Sequence, residues 1–259
     1  MRFADIMRLS EHGPDTFVAS GPRYPWGGLY GGQIVAQALR AAAATVPSQY
    51  VVHSLHAYFI RLGDASEPIR LEVDRLRNGR SFATRRVVAR QAVGAILNLD
   101  ASFQIPEPEA AALQTERMPD VAKPETLPND GWSPIIDRRF VDGRSSANAW
   151  MRLAENLGDD QVLHQCGLAY LSDDLPTDAI VSCHPERKPG SDEPAFWNAS
   201  LDHAIWFHRP IRADEPLLFS FSCHGLINSR GLSIGAVFAQ DGRHLATVSQ
   251  EVLTRPHRK

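Results

Sequence analysis

An internal duplication limits how this chain can fold more than any other feature of its sequence. His56-Ala57-Tyr58-Phe59 is echoed by His203-Ala204-Ile205-Trp206-Phe207, Glu67-Pro68 by Glu215-Pro216, and the turn glycine Gly94 by Gly242. The echoes keep a nearly constant separation, so two like units follow one another. In the first unit, residues 31 to 44 (GGQIVAQALRAAAA) are rich in Ala, Leu and Gln, carry few charges and stop near Pro47, which predicts a helix buried on all sides. From Tyr50 to Gln104 the texture changes to β-branched and aromatic runs separated by Leu62-Gly63-Asp64, Asn78-Gly79 and Val93-Gly94. Within one run Ile69, Leu71 and Val73 alternate with Arg70, Glu72 and Asp74, the period of a strand with one solvated face. A single such sheet leaves a face and an edge uncovered, and a second copy beside it covers them. The expected class is α+β.

Residues 106 to 130 hold several Pro and many acids without a sustained period and read as a linker between a unit over 1–105 and a unit over 131–259. The second unit is expected to carry a helical stretch over 146 to 172, stopped by Asp173-Asp174-Leu175-Pro176, and to return to strands from about Phe196. With 259 residues, 43% of them hydrophobic, the chain can bury a sizeable core. A formal net charge of −3 and a pI near 6.4 give no electrostatic footprint for nucleic acid or an anionic membrane. No apolar run approaches the roughly 18 residues of a membrane span. Cys166, Cys183 and Cys223 are too far apart to write a disulfide framework or a thiolate zinc site. The opening residues hold no apolar stretch of the secretory kind, so a cytoplasmic setting is expected.

Signatures for nucleotide loops, zinc proteases and calcium hands are absent. Gly231-Leu232-Ser233-Ile234-Gly235 matches the G-x-S-x-G of serine hydrolases, but Ala236-Val237-Phe238-Ala239 and then Gln240-Asp241-Gly242 read as a strand running into a hairpin, which predicts Ser233 as a strand residue. His53 and His56 fall on opposite faces of a strand and share no metal. His203 and His208 are read as hydrogen-bonded structural groups ahead of catalytic ones. Gln250 shares strand parity with Ala246, Val248 and Val252, so its amide points to the apolar side. There it either satisfies a buried backbone group or holds a substrate oxygen or a water. Asp173 stands where a helix ends and meets the unfavourable end of the macrodipole, which asks for a turn or a function.

Two long motifs carry a resemblance: Gly31-Gly32-Gln33-Ile34-Val35-Ala36-Gln37-Ala38-Leu39 with Val52-His53-Ser54-Leu55-His56-Ala57-Tyr58-Phe59, and Leu201-Asp202-His203 through Trp206-Phe207-His208-Arg209-Pro210. In these the chain resembles the acyl-CoA thioesterase II family. The resemblance implies a tandem double hot-dog fold, each copy a central helix wrapped by an antiparallel β-sheet. It also implies hydrolysis of acyl-CoA to fatty acid and CoA with no cofactor or metal. The water-holding Asp, hydroxyl residue and Gln of the family match Asp173, Ser200 and Gln250, with Ser200 where the bacterial pattern has Thr and with Asp174 beside Asp173. Asp173 would then take the proton of a water fixed by Ser200 and Gln250. The CoA phosphates call for cations, and Arg77, Arg80, Arg85, Arg86, Arg209 and Arg230 are the candidates, each of which also suits a solvated strand face.

Alternatives are a non-catalytic acyl-CoA binding protein, a hot-dog enoyl-CoA hydratase, and a serine hydrolase using Ser233. The usual hydratase stretch Gly-Asp-x-Asn-Pro-x-His is missing. Ser200 and Gln250 fall opposite Val52 and Ser102 in the repeat, which predicts one active site per chain. A homodimer is expected.

Overall fold

The computed structural model describes residues 1–107, 111–141, 147–187 and 196–257. The N-terminal half holds α1 (Phe3–Ile6), β1 (Ser10–Glu11), β2 (Thr16–Ala19), α2 (Gly31–Ala44), β3 (Val51–Phe59), β4 (Ile69–Asn78), β5 (Phe82–Gln91) and β6 (Gly94–Gln104). The C-terminal half holds β7 (Ile136–Phe140), β8 (Asn148–Leu153), α3 (Gln161–Leu171), α4 (Pro176–Ser182), β9 (Phe196–Ser200), β10 (Asp202–Phe207), β11 (Leu217–Ile227), β12 (Arg230–Ala239) and β13 (His244–Pro256).

The strands join in the order β1-β2-β4-β5-β6-β3-β10-β13-β12-β11-β8-β7, with β9 also on β13. That order reads alike from both ends, β3 answering to β10, β6 to β13, β5 to β12 and β4 to β11. The halves meet where β3 pairs antiparallel with β10. Tyr58↔Asp202 and Ser54↔Trp206 lie symmetrically about His56↔Ala204, which marks a pseudo-twofold axis. Each half-sheet curves round its helix, the double hot-dog arrangement.

The alanine-rich surface of α2 lets α3 come close. A Cβ at Gly32 would stand 2.3 Å from the Tyr170 carbonyl oxygen, so the two helices touch backbone to backbone. Ile34, Val35, Ala38, Leu39, Leu168, Ala169 and Leu171 are all buried, and one apolar core runs through both halves. The predicted alternation in β4 holds at Ile69 and Leu71, buried, against exposed Arg70 and Asp74.

Two expectations need correction. Residues Asn148–Leu153 form a strand and not the start of a helix. Their Ala, Met and Leu favour helix locally, but pairing with β7 on one side and β11 on the other overrides that preference. Pro176 does not only end α3; it opens α4 at the first helical turn, where its missing N–H costs nothing. The N-terminal stretch, to which the sequence assigns no element, contributes β1, paired to β2, and β2, paired to β4. Of the segment read as a linker, residues 108–110 lie outside the described residues. Its later part is strapped down, because Trp150 Nε1 donates to the Ala122 carbonyl at 2.9 Å and Arg139 donates to the carbonyls of Pro124 and Leu127. Among the described residues no helix is long and apolar enough to cross a membrane.

Candidate active site

The end of α3 meets the start of α2, and Asp173 stands at the junction. Its Oδ2 accepts a hydrogen bond from the Gly32 backbone N–H at 2.8 Å. The acid follows the negative end of one helix yet caps the positive end of the other, which accounts for a carboxylate at that position. Gly31 is required there, since a Cβ would lie 2.6 Å from Asp173 Oδ2 and 3.0 Å from the Phe59 ring. Asp173 Oδ1 is buried and has no hydrogen-bond partner among the described residues. Burial pushes the Asp173 carboxyl up to about 7; the Gly32 N–H and the Gln250 amide pull it down, and the Asp174 charge adds to the rise.

Asp174 has a different occupation. Trp132 Nε1 donates to its Oδ1 at 2.6 Å and Arg138 donates to its Oδ2 at 2.7 Å. Both oxygens are satisfied in a nearly buried ion pair. Of the two adjacent acids, only Asp173 keeps an oxygen without a partner.

Gln250 lies on the buried face of β13 with Ala246, Val248 and Val252, as its parity predicts. Its Nε2 donates to Ser200 Oγ at 2.7 Å, and its Oε1 accepts from His203 Nδ1 at 2.5 Å. The other ring nitrogen of His203 lies 2.8 Å from the Ser172 hydroxyl, whose single proton is shared between that nitrogen and the Ala169 carbonyl at 3.1 Å. Ser172 caps the C-terminus of α3, one residue before Asp173. A chain of hydrogen bonds thus runs from the end of α3 through His203 and Gln250 to Ser200. Because Ser200 Oγ accepts from Gln250, its own O–H remains available to donate.

His203, read as a hydrogen-bonded structural group, has both ring nitrogens engaged, one by Gln250 and one by Ser172. It is fully buried, and burial pushes its pKa down to about 4, so the ring is neutral near pH 7. The signal lay in its parity with Ile205 and Phe207 on the inward face of β10. Sequence reasoning also missed Ser172 as a member of the cluster, as well as the contact that Gly31 and Gly32 make with the acid.

Ser233 sits inside β12, opposite Gln250 in the register. Its Oγ is buried and has no hydrogen-bond partner among the described residues. A serine nucleophile needs a base within reach, and this one has none. Ser233→Ala is expected to leave turnover within a few fold of wild type, and a fluorophosphonate probe is expected not to label the site; labelling with loss of turnover would overturn both expectations.

Arg85 departs from its candidate role. It is buried, and all five of its N–H groups are satisfied, by Thr45 Oγ1 and carbonyl, the Arg77 and Thr84 carbonyls and Asn78 Oδ1. Nothing remains of it for a phosphate. Arg86 is paired with Asp100 and Arg230 with Glu251 on exposed strand faces. Arg77 and Arg80 are exposed at the β4–β5 turn, beside Tyr50, and so lie beyond the C-terminal end of α2 and away from Asp173. Arg209 follows β10 and donates to the His244 carbonyl. None of the six is hydrogen-bonded to Asp173, Ser200 or Gln250. Arg230, whose strand neighbour Gly231 shares the partner Val252 with Ser200, is the one at the level of the cluster. No group of three or more metal-ligating side chains occurs among the described residues.

Two half-sheets joined edge to edge round antiparallel central helices define the double hot-dog class. Within it, the model of an acyl-CoA thioesterase N-terminal domain matches residues 20–104, and that of an acyl-CoA thioesterase C-terminal domain matches residues 104–254. The chain is 33% identical to acyl-CoA thioesterase 2 of Haemophilus influenzae over 88% of its own length and 87% of that protein. It is 32% identical to human acyl-coenzyme A thioesterase 8 over 96% of its length and 88% of that protein. A crystal structure of the acyl-CoA thioesterase II TesB2 from Mycobacterium marinum superposes with a TM-score of 0.83 at 37% identity, covering 98% of this chain and 97% of the other. The chain belongs to the acyl-CoA thioesterase II family.

Proposed function

We propose that this protein hydrolyses acyl-CoA to a free fatty acid and CoA with a water directed by Asp173, Ser200 and Gln250. Its relatives at about a third identity over most of the chain are named acyl-CoA thioesterases. The observation that carries the catalytic reading is the unpartnered Oδ1 of a buried acid tied to a helix start.

Asp173 Oδ1 removes a proton from the water as the oxygen attacks the thioester carbon. The carbonyl oxygen takes up negative charge beside the first turn of α2, whose dipole favours it. Collapse expels the CoA thiolate, which recovers the proton held by Asp173, so no covalent intermediate or metal enters the balance. The Ser200 O–H and the Gln250 amide aim the water or the carbonyl. Arg230, by exchanging Glu251, offers a CoA phosphate its guanidinium. In this reading residues 1–105 and 131–259 are two hot-dog units joined by a linker over 106–130. The enzyme works in the cytoplasm as a homodimer.

The test is release of free CoA from a panel of acyl-CoAs by the purified protein, read with a thiol reagent across pH. Asp173 must be ionised to accept a proton, and its pKa is raised to about 7. Activity is therefore lost as pH falls through that value. We expect kcat/KM to rise about tenfold per pH unit below about pH 7 and to level off above it. Binding without CoA release would leave a non-catalytic acyl-CoA binder, and a flat profile through neutrality would remove Asp173 as the base.

A further inference from the structure

The pseudo-twofold axis that relates β3 to β10 also assigns the catalytic junction a mate. The mate lies at the other end of the helix pair, where α3 begins, about 16 Å along α3 from Asp173. A cavity of about 360 Å³ opens there. Part of its lining falls opposite residues of the first unit and of the catalytic junction in the repeat. Val52 stands opposite Ser200, Phe207 opposite Phe59, Arg209 opposite Arg61, and Gln161 opens α3 as Gly31 opens α2.

The acid and the amide of the catalytic cluster have no counterpart in this mate. The residues closing α2 are Ala43, Ala44, Thr45 and Val46, with no acid among them, and Ser102 stands where the second copy has Gln250. Arg85, opposite Ser233, is tied to Thr45 and closes the interior behind it. What persists is a largely apolar cavity lined by buried Val52 and Phe207, with Arg209, nearly buried Gln165 and two histidines, His53 and His208, also on its lining; His53 is bonded to Ser102. Arg209 makes no ion pair among the described residues, and its guanidinium donates to the His244 carbonyl. A half-buried cation on the lining of a largely apolar cavity complements a single negative charge on an apolar tail.

We propose that this mate cavity binds a free fatty acid, its tail against Val52 and Phe207 and its carboxylate on Arg209, without hydrolysing anything. The chemical class of the ligand rests on the thioesterase reading, since a fatty acid is the product released at Asp173. Occupancy of the cavity requires no turnover, so the two readings can fail separately.

Titration calorimetry of decanoate, below its micellar concentration, tests the proposal on the full-length protein. Arg209→Gln is expected to weaken binding about tenfold or more, the loss of one charge-assisted pair. Gln161→Trp places an indole across the mouth from an exposed helix start; it is expected to abolish that binding while hydrolysis and thermal stability stay as in wild type. Asp173→Asn is expected to leave decanoate binding unchanged, whatever it does to turnover. Absence of binding to the wild type, equal affinity in Arg209→Gln and Gln161→Trp, or displacement of decanoate by CoA would each overturn the proposal.

Discussion

Asp173→Asn is expected to lower kcat on acyl-CoA by about 10²- to 10⁴-fold, the usual cost of losing a positioned general base, while Asp174→Asn leaves the rate per folded molecule within a few fold. The carboxamide keeps the shape of Asp173 and still offers an oxygen to the Gly32 N–H, so the junction of α2 and α3 should hold. What vanishes is the capacity to take up a proton on Oδ1. Asp174 shows the opposite balance, because its two oxygens are already engaged by Trp132 and Arg138. Removing its charge strands the Arg138 guanidinium at a site where both partners are largely buried. Breaking such a pair costs up to about 3–5 kcal/mol. Denaturant unfolding with steady-state kinetics on both variants checks the pair of expectations. Near wild-type kcat in Asp173→Asn with loss in Asp174→Asn would move the base by one residue, and near wild-type rates in both would end the mechanism.

The parts of the molecule that follow from local pattern were legible in the sequence. The helix over 31–44, the strands from Tyr50 to Gln104 and the inward amide of Gln250 each follow from a period or a parity. The strand nature of Ser233 followed from the turn after it. The parts set by partners distant in the chain were not legible. Asn148–Leu153 becomes a strand because β7 and β11 flank it, and no window of a few residues contains either neighbour. Arg85 looked like one more strand-face cation, yet it turns inward to close the end of α2, where its carbonyl partners are invisible to residue type. The oddity of Asp173 could be stated from the sequence, but its resolution needed the start of α2, 141 residues away, brought against it.

His203→Leu is expected to lower kcat by up to about 10²-fold, with KM much less affected. The ring reaches the reacting water only through Gln250, so its part is to position rather than to react. Nδ1 holds the Gln250 oxygen, which directs the amide N–H₂ of Gln250 to Ser200 and leaves the Ser200 proton free to donate. Without the ring the amide can rotate, and a displacement of about 1 Å at a reacting group can cost about 10²-fold. The Ser172 hydroxyl holds the ring's orientation from 2.8 Å at Nε2, so Ser172→Ala is expected to lower kcat in the same direction by a smaller factor. Leucine also leaves the buried Gln250 oxygen unpaired, at about 1–3 kcal/mol in stability, so loss of stability alone decides nothing. The discriminating readouts are the kcat-to-KM split and the pH profile of the folded fraction. A positioning role predicts a lower plateau with the midpoint still near that of Asp173, because His203 is itself neutral at those pH values. A histidine that serves only the fold would reduce stability and leave kcat per folded molecule as in wild type, and one that acts as the base would take the pH dependence away with it.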